Sequence, residues 1–348
     1  MRTLCVPVNQ EGIIEAVRIL KEGGLVAFPT ETVYGLGGNA LNEQAIEAIF
    51  EAKGRPGDNP LIAHVSGIEE AKRYGEWNDL AQSLAEAFWP GPLTLIVARK
   101  PDMPARISAG LSTLALRAPS HPAAQALIKA CGFPIAAPSA NRSGCPSPTT
   151  AKHVLNDMDG VIPLILDGGP SEVGLESTVL DATGEVPLIL RPGAVTPEMV
   201  AMTVGECKVA ESVMRQLRDD ESAPSPGMRH KHYAPKARMT LVEGETGKVR
   251  EALTLMAARL ENAWVFALDG VMDGVEEVKV KNLGRDAKEA AHNLFYLLRQ
   301  ADEEGVTRIF AQALPKDGLG LAVMNRLARA AGFDIRQAED VLQFQEKS

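Results

Sequence analysis

Short apolar runs alternate with segments of helical periodicity through the first 205 residues. IIEAVRIL has apolar residues at helical spacing and stops at Gly23 and Gly24, which predicts a helix followed by the buried strand LVAF. The next segment, PTETVYGLGGNA at residues 29–40, is then expected to be a loop at the end of that strand. EQAIEAIFEA predicts a second helix, capped by Asn42, that ends at the polar segment KGRPGDNPL of residues 53–61.

Further short β-rich runs predict a substantial mixed sheet in this part of the chain. The strand LIAHVS is followed by six more: LTLIVA, LALRAP, PIAAPSA, VIPLILDGG, STVLDA and PLILRPG. Helices are predicted at HPAAQALIKA and around TTAKHVLNDM. Polar, glycine-rich segments follow most of the strands, which is where open α/β sheets place their ligand sites.

The pattern breaks between residues 206 and 236, where a charged stretch is followed by Pro, Ser and Gly without clear periodicity. This segment is predicted to be a linker. Strands and helices alternate again from MTLVEG to a final helix GLGLAVMNRLARAA, which predicts a small three-layer α/β domain. The expected organisation is thus a first domain at residues 1–205, a linker at 206–236 and a second domain at 237–348.

Composition and charge narrow the function classes. The net charge is −9, and splitting the chain at residue 205 leaves 15 − 22 = −7 before it and 21 − 23 = −2 after it, so neither part is a basic nucleic-acid module. The four cysteines are scattered without a CxxC pair, which argues against a zinc ribbon or a disulfide scaffold. The chain has no secretory signal pattern and no apolar run of about 18 residues, so neither export nor a membrane anchor is expected, and the cytoplasm fits best.

The polar loops contain residues suited to binding a small polyanion. Four cations, Lys53, Arg55, Arg117 and Arg191, lie on or just after predicted elements of an acidic domain, and together they would form a local positive pocket. Each alone has a simpler interpretation, such as the helix dipole for the first two or a surface charge for the others. The loop at residues 29–40 fits a binding site or an ordinary turn equally well, since it is neither a P-loop nor a dinucleotide fingerprint.

Nucleophilic catalysis is disfavoured. The segment PSANRSGCPSPT is rich in hydroxyls and amides, but GxSxG is absent and no His/Asp partners can be assigned to a serine. His64 lies on a predicted strand, where a lone histidine is more often a satisfied, half-buried group than a ligand or base. Hydroxyls and amides without a base suit the phosphates and base edge of a nucleotide.

Five segments in order and spacing, PTETVYGLG, KGRPGDNPL, PSANRSGCPSPT, LESTVLD and LRPGA, resemble the YrdC-like domain of L-threonylcarbamoyladenylate synthases. The linker motif SPGMRHKHYAP and the ending GLGLAVMNRLARAA resemble the long form of that family, so the resemblance covers nearly the whole chain. It implies a YrdC-like twisted mixed sheet with helices and a concave site. It also implies a smaller C-terminal three-layer α/β, Rossmann-like domain.

The resemblance implies a cytoplasmic enzyme that condenses L-threonine, bicarbonate and ATP into threonylcarbamoyl-AMP and releases pyrophosphate, with Mg²⁺ on the phosphates. A partner tRNA threonylcarbamoyl transferase would then modify the adenosine beside the anticodon, and any tRNA contact by this chain would be weak or transient. Metal ligands and oligomeric state are not indicated by the sequence.

The resemblance also implies site residues at matching positions of this sequence. The family's KxR and SxN signature, expected to be catalytic, matches Lys53, Arg55, Ser139 and Asn141. The threonine site is expected at Thr32, His64, Arg117, Ala137 and Ser177. The ATP site is expected at Arg55, Asn59, Thr113, Ser139, Ser147, Arg191 and Tyr233.

Two other hypotheses remain open from the residues, along with one about the linker. A non-catalytic RNA-binding or translation-associated module is possible, although the acidic charge and sparse aromatics count against it. Another carbamoyl or acyl adenylation on the same fold is also possible, because fold alone does not decide function. The Pro- and Gly-flanked linker is hypothesised to close over the nucleotide as a lid through Tyr233.

Overall fold

A computed structural model describes residues 2–215 and 233–346, and the chain divides into two compact units. Within the described residues, the first unit comprises residues 2–143 and 147–213. The second comprises residues 144–146, 214–215 and 233–346. No helix in these described ranges is long and apolar enough to cross a membrane.

The described part of the first unit forms one mixed sheet of eleven strands with helices against it. The strand order across the sheet is β1-β8-β2-β3-β7-β4-β6-β5-β9-β10-β11. The strands are β1 (Leu4–Pro7), β2 (Val26–Phe28), β3 (Gly35–Asn39), β4 (Ile62–His64), β5 (Leu93–Ala98), β6 (Thr113–Arg117), β7 (Ile135–Ala136), β8 (Leu164–Asp167), β9 (Thr178–Asp181), β10 (Leu188–Arg191) and β11 (Lys208–Val209). The helices are α1 (Gln10–Lys21), α2 (Glu43–Lys53), α3 (Ile68–Tyr74), α4 (Asp79–Phe88), α5 (Pro122–Cys131), α6 (Ala151–Met158) and α7 (Pro197–Val204).

Both faces of this sheet are covered, as the continuous apolar run of β2 shows. Val26 and Phe28 belong to a buried cluster formed with α1 and α5, whereas Ala27 between them belongs to a larger cluster formed with α2, α4 and α6. Successive side chains of a strand point to opposite faces, so a strand buried on both sides needs no polar alternation. The predicted buried strand LVAF is confirmed.

The loop predicted at residues 29–40 is only partly a loop, because its second half is strand β3, paired antiparallel with β2 and β7. Its sequence GLGGN has low β-propensity, so the pattern gave no signal for a strand. The glycines are there for space: a Cβ on Gly37 would stand 2.8 Å from both Ile135 Cγ2 and Phe28 Cε1. Tertiary packing against larger neighbours therefore makes this glycine-rich segment a strand.

The predicted helix after this strand is confirmed with its caps. The Asn42 side chain accepts hydrogen bonds from the N–H groups of Gln44 and Ala45, and α2 ends at Gly54 in the left-handed conformation with φ of +58°. Ending the helix there fixes Lys53 in its last turn and turns the chain into the KGRPGDNPL segment.

Several elements of the first unit were not predicted from the sequence. Strands β1 and β11 are short edge strands, and helices α3, α4 and α7 are of ten residues or fewer. The predicted strand PIAAPSA is shorter than expected, since only Ile135 and Ala136 form β7. Residues 208–209, predicted as part of the linker, form β11 beside β10. Residues 216–232 of the predicted linker lie outside the described residues.

The second unit is built on five parallel strands in the order β14-β13-β15-β12-β16, as expected of a three-layer α/β fold. The predicted last helix is not the end of the described fold, because β16 and α11 follow it. These elements are β12 (Arg238–Glu243), α8 (Thr246–Ala257), β13 (Ala263–Ala267), β14 (Lys279–Asn282), α9 (Ala287–Glu303), β15 (Arg308–Gln312), α10 (Gly318–Ala330), β16 (Ile335–Gln337) and α11 (Ala338–Glu346).

Strand β13, an inner strand of the second unit's sheet, is buried on both faces. Val265 packs in a cluster with α8 and α11, whereas its neighbours Trp264 and Phe266 are buried on the alternate face. Asp286 caps α9 through the N–H groups of Lys288 and Glu289.

Candidate active site

Adjacent strands of the first unit bring the predicted threonine-site residues together. β4 pairs in parallel with β6 so that His64 lies opposite Arg117, and β4 also pairs antiparallel with β7. Just beyond β7, the N–H of Ala137 donates to the Ile62 carbonyl at 2.9 Å. Ala137 is thereby fixed beside the strand that carries His64, where its backbone rather than its methyl group meets polar neighbours.

The first half of the 29–40 segment is a buried loop tied to the loop that precedes β9. The N–H groups of Val173 and Gly174 donate to the carbonyls of Glu31 (2.8 Å) and Thr32 (3.1 Å). The Thr32 hydroxyl lies 2.8 Å from the Thr30 hydroxyl, and both side chains are buried. Three consecutive polar side chains of this loop, Thr30, Glu31 and Thr32, are buried, so this part of the segment is not an exposed turn.

Lys53 joins the end of α2 to the loop after β7. Its ammonium donates to the carbonyls of Ser139 and Asn141, each at 2.5 Å, and the Ser139 hydroxyl donates to Asn141 Oδ1 at 2.5 Å. Lys53 is 4% exposed. Three residues of the predicted KxR and SxN signature therefore form one buried cluster, in which a cation is held next to a hydroxyl and an amide.

The remaining residue of that signature, Arg55, organises its own loop. Its guanidinium donates from Nε to the Asn59 carbonyl (3.3 Å) and from Nη2 to the Pro60 carbonyl (3.0 Å). The Asn59 side chain is buried, and its Oδ1 accepts no hydrogen bond from the described residues. A rigid Gly/Pro loop thus presents a planar cation beside a buried amide, as the sequence suggested for a phosphate-binding segment.

A buried ion pair between Arg117 and Glu31 is the strongest electrostatic feature of the site. Arg117 Nη2 lies 2.7 Å from Glu31 Oε1, and the two side chains are 5% and 7% exposed. Arg117 Nε also donates to the Gly91 carbonyl at 3.3 Å. Burial would raise the pKa of Glu31, but the guanidinium outweighs it and holds the pKa of that carboxyl below its usual range.

His64 is buried in the same cluster and is held neutral. Burial, reinforced by the positive charge of Arg117, lowers the pKa of His64 to about 3. Its Nδ1 lies 3.3 Å from the Ile62 carbonyl, and its ring meets the edge of Phe28 at 6.1 Å between centroids. At neutral pH, His64 therefore offers an uncharged imidazole beside one cation and one anion.

The depressed pKa of His64 predicts acid destabilisation of the fold. Between pH 6.5 and about 3 the unfolded chain binds a proton that the folded chain does not, so stability falls as pH falls. We expect the free energy of unfolding of the wild type, relative to His64→Gln, to drop by about 2 kcal/mol between pH 7 and pH 5. Urea unfolding of both proteins across this range measures it, and a difference independent of pH would contradict the buried, neutral state.

The last part of the site consists of five polar residues: Ser177, Arg191, Thr94, Ser147 and Glu176. The Ser177 hydroxyl lies 2.8 Å from the Thr94 hydroxyl, and Arg191 donates to the Ser177 carbonyl (3.1 Å) and hydroxyl (3.2 Å). The Ser147 hydroxyl donates a short hydrogen bond to the Glu176 carboxylate. The LESTVLD segment thus brings Ser177, from the predicted threonine set, to Arg191 of the predicted ATP set, and it brings Glu176 to Ser147 of that same set.

Thr113 and Tyr233 are the remaining predicted site residues. Thr113 begins β6, opposite Ala98, whereas Arg117 ends it, so about 13 Å of extended strand separates them. Tyr233 belongs to the second unit, where it is buried with its ring 5.3 Å from that of Phe295. The hypothesised lid segment around residues 229–232 lies outside the described residues.

Three polar residues of the site were not singled out from the sequence: Glu31, Thr94 and Glu176. Glu31 and Glu176 stand directly before Thr32 and Ser177 in the TET and LEST motifs, so adjacency to a predicted binding residue was the available signal. Thr94 stands within the apolar run LTLIVA and reads there as an ordinary strand residue. Only the pairing of β5 with β9 brings its hydroxyl to Ser177.

Comparison with known families matches two models to consecutive parts of the chain. Residues 18–193 match the Sua5, YciO and YrdC family, which is described as telomere recombination. Residues 195–332 match the C-terminal domain of threonylcarbamoyl-AMP synthase.

Similar proteins span nearly the same length. The threonylcarbamoyl-AMP synthase of Pyrococcus abyssi is 46% identical over 327 residues, covering 92% of this chain and 94% of that protein. The threonylcarbamoyl-AMP synthase of Bacillus subtilis is 44% identical, covering 93% and 94%. The crystal structure of P. abyssi Sua5 complexed with L-threonine matches with a TM-score of 0.91 and 43% identity, covering 96% of this chain and 99% of that one.

Proposed function

The chain belongs to the threonylcarbamoyl-AMP synthase family, and from this premise we propose that it condenses L-threonine, bicarbonate and ATP into threonylcarbamoyl-AMP, releasing pyrophosphate and water. It is a transferase that makes an AMP-linked intermediate from ATP. The observation that carries the proposal is the buried group of Arg117, Glu31 and His64 in a chain that aligns over nearly its full length with a protein crystallised with L-threonine. The catalytic interpretation is favoured over a non-catalytic RNA-binding module.

We propose that L-threonine binds among Thr32, His64, Arg117, Ala137 and Ser177. Arg117 is buried and planar, which suits it to fork onto a carboxylate with two parallel hydrogen bonds. The neutral imidazole of His64 and the hydroxyl of Ser177 offer uncharged partners for the substrate's hydroxyl and carbonyl oxygens.

The ATP site is proposed at Arg55, Asn59, Thr113, Ser139, Ser147, Arg191 and Tyr233. The threonine amine first combines with bicarbonate to give a carbamate and water. The carbamate is a weak oxygen nucleophile that attacks the α-phosphorus of ATP, and pyrophosphate leaves. No covalent intermediate with the protein is required, so catalysis consists of alignment and charge stabilisation. Lys53, Arg55 and Arg191 supply the positive charges, and the hydrogen bonds that Lys53 makes to the 139–141 loop keep Ser139 and Asn141 in place.

Magnesium is proposed to enter as the ATP complex, held chiefly by phosphate oxygens. Within residues 2–215 and 233–346, no group of three or more His, Cys, Asp or Glu side chains is arranged to hold a metal ion. Hard divalent cations with few protein ligands are commonly bound through substrate phosphates. When bound with ATP, the ion would supply positive charge that neutralises the phosphates.

The division of labour along the chain and the downstream partner are also proposals. We assign the chemistry to residues 1–205, a lid to the linker at 206–236 and a supporting role to residues 237–348. The product is proposed to pass to a tRNA threonylcarbamoyl transferase, with at most transient contact between this chain and tRNA, which places the enzyme in the cytoplasm.

Pyrophosphate release tests the function directly. The purified chain is incubated with ATP and Mg²⁺, with L-threonine and bicarbonate each omitted in turn, and the adenylate is sought by mass spectrometry. Release that requires both co-substrates, together with threonylcarbamoyl-AMP, is expected. A higher rate with serine or another amino acid would redirect the substrate assignment. A folded protein that releases nothing but binds tRNA with steep salt dependence would support the RNA-binding alternative.

A further inference from the structure

Glu31 is a buried carboxylate whose hydrogen-bonding capacity is only partly used: the Arg117 side chain and backbone groups of Glu31 and Ser120 help to lower its pKa. Its side chain is 7% exposed, and neither Oε1 nor Oε2 accepts a hydrogen bond of ordinary geometry from the described residues. The Arg117 guanidinium approaches Oε1 at 2.7 Å as an ion pair. An ionised carboxylate has room for about four hydrogen bonds, so this arrangement is costly unless something else completes it.

The charges around Glu31 balance to zero. Arg117 is positive, Glu31 is negative because its pKa is lowered, and His64 is neutral because its pKa is about 3. Burial also lowers the pKa of His121, and its Nδ1 accepts the hydrogen bond that caps α5. His121 therefore adds no positive charge at neutral pH. A buried pair of one cation and one anion, Arg117 and Glu31, complements a ligand that carries one anion and one cation.

An α-amino acid zwitterion is such a ligand. Its carboxylate suits Arg117, and a guanidinium with five donors can hold a substrate carboxylate and the Glu31 carboxylate together. Its ammonium carries three donors and needs an anionic acceptor when removed from water. Glu31 Oε2 is a buried anionic acceptor beside Arg117 that accepts no hydrogen bond of ordinary geometry from the described residues.

We propose that Glu31 is a substrate-binding residue that accepts a hydrogen bond from the α-ammonium of L-threonine while Arg117 binds the carboxylate. This rests on the proposed function and adds to it the group that selects an amino acid over a hydroxy acid. A site built to pair a substrate N–H with a buried acceptor rejects an analogue lacking it, because the acceptor is then left unpaired.

The test compares L-threonine with its analogue in which a hydroxyl replaces the α-ammonium. Dissociation constants of both ligands are measured by calorimetry for wild type, Glu31→Gln and Glu31→Asp in the full-length protein. The wild type is expected to prefer L-threonine, and Glu31→Gln to reduce that preference about tenfold or more, since a hydrogen bond to a charged group is lost. Glu31→Asp keeps the charge and is expected to retain most of the preference.

The matched control is Glu47→Gln, which removes a carboxylate from an exposed ion pair with Arg106. It is expected to leave the binding of both ligands unchanged. Equal weakening of both ligands by Glu31→Gln would show that Glu31 acts only by orienting Arg117, and would overturn the proposal. The same holds if neither affinity changes. If the wild type turns over L-threonine but Glu31→Gln keeps the same preference for L-threonine over the hydroxy acid, this proposal is wrong and the proposed function stands. If the wild type neither binds nor uses L-threonine, the proposed function is wrong as well.

Discussion

Replacing Arg117 by alanine is expected to raise the KM for L-threonine about a hundredfold and to lower the free energy of unfolding by about 3–5 kcal/mol. The first effect follows because the side chain proposed to bind the substrate carboxylate is lost. The second follows because Glu31, 5% exposed, is left as a buried charge without its 2.7 Å partner. Steady-state kinetics at saturating ATP measures the first, and urea unfolding at pH 7 measures the second.

The two effects are separated by the double variant Arg117→Ala/Glu31→Gln. Replacing the Glu31 carboxylate, which has lost its partner, by a neutral amide is expected to restore part of the lost stability without restoring threonine binding. Arg106→Ala serves as a matched control, because it also removes an arginine paired with a glutamate, but in an exposed pair. If the double variant recovered a normal KM, Arg117 would act on stability alone and its assignment to the substrate carboxylate would be wrong.

Local sequence patterns predicted the strands and helices of this fold where burial is uniform or a cap is present. The run LVAF is buried on both faces, and Asn42 begins α2 through the hydrogen bonds expected of an N-cap. They did not predict β3, because GLGGN becomes a strand only through its fit against Phe28 and Ile135. Short edge strands such as β1 and β11 were not predicted for a related reason, because each is paired with a strand on one side only.

The site residues that could be predicted differ from those that could not for the same physical reason. Lys53, Ser139 and Asn141 were identified from motifs that resemble a family, and the structure brings them within hydrogen-bonding distance. The partner of Arg117 could not be identified in this way, since Glu31 lies 86 positions away and pairs with it only through the loop after β2. Long-range pairing is a property of the fold, and a single sequence does not report it.

The state of His64 shows why a lone histidine is ambiguous in sequence and decided by its surroundings. On a half-exposed strand it would titrate near neutral pH and could act as a base. In the structure it lies opposite Arg117 and is fully buried, and these two conditions both lower its pKa. The sequence identifies the residue as histidine. Its protonation state depends on the strand pairing that buries it opposite Arg117.

Lys53→Met is expected to lower kcat by about a hundred- to a thousandfold while changing the KM for L-threonine little. Methionine fills much of the same volume, so the variant removes the charge and its donors with limited change in packing. The carbonyls of Ser139 and Asn141 then lose their shared donor, and the loop that carries the SxN residues loses its tie to α2. Pyrophosphate release at saturating substrates measures turnover, and a thermal unfolding curve reports any loss of fold.

Lys72→Met is the matched control, because this lysine lies on the exposed surface in an ion pair with Glu69. Its turnover is expected to equal that of the wild type. Lys53 and Arg117 belong to different clusters, so their variants should move different parameters: turnover for the first and the threonine requirement for the second. Equal changes of kcat and KM in both variants would refute that division, because the two clusters would then act on the same step.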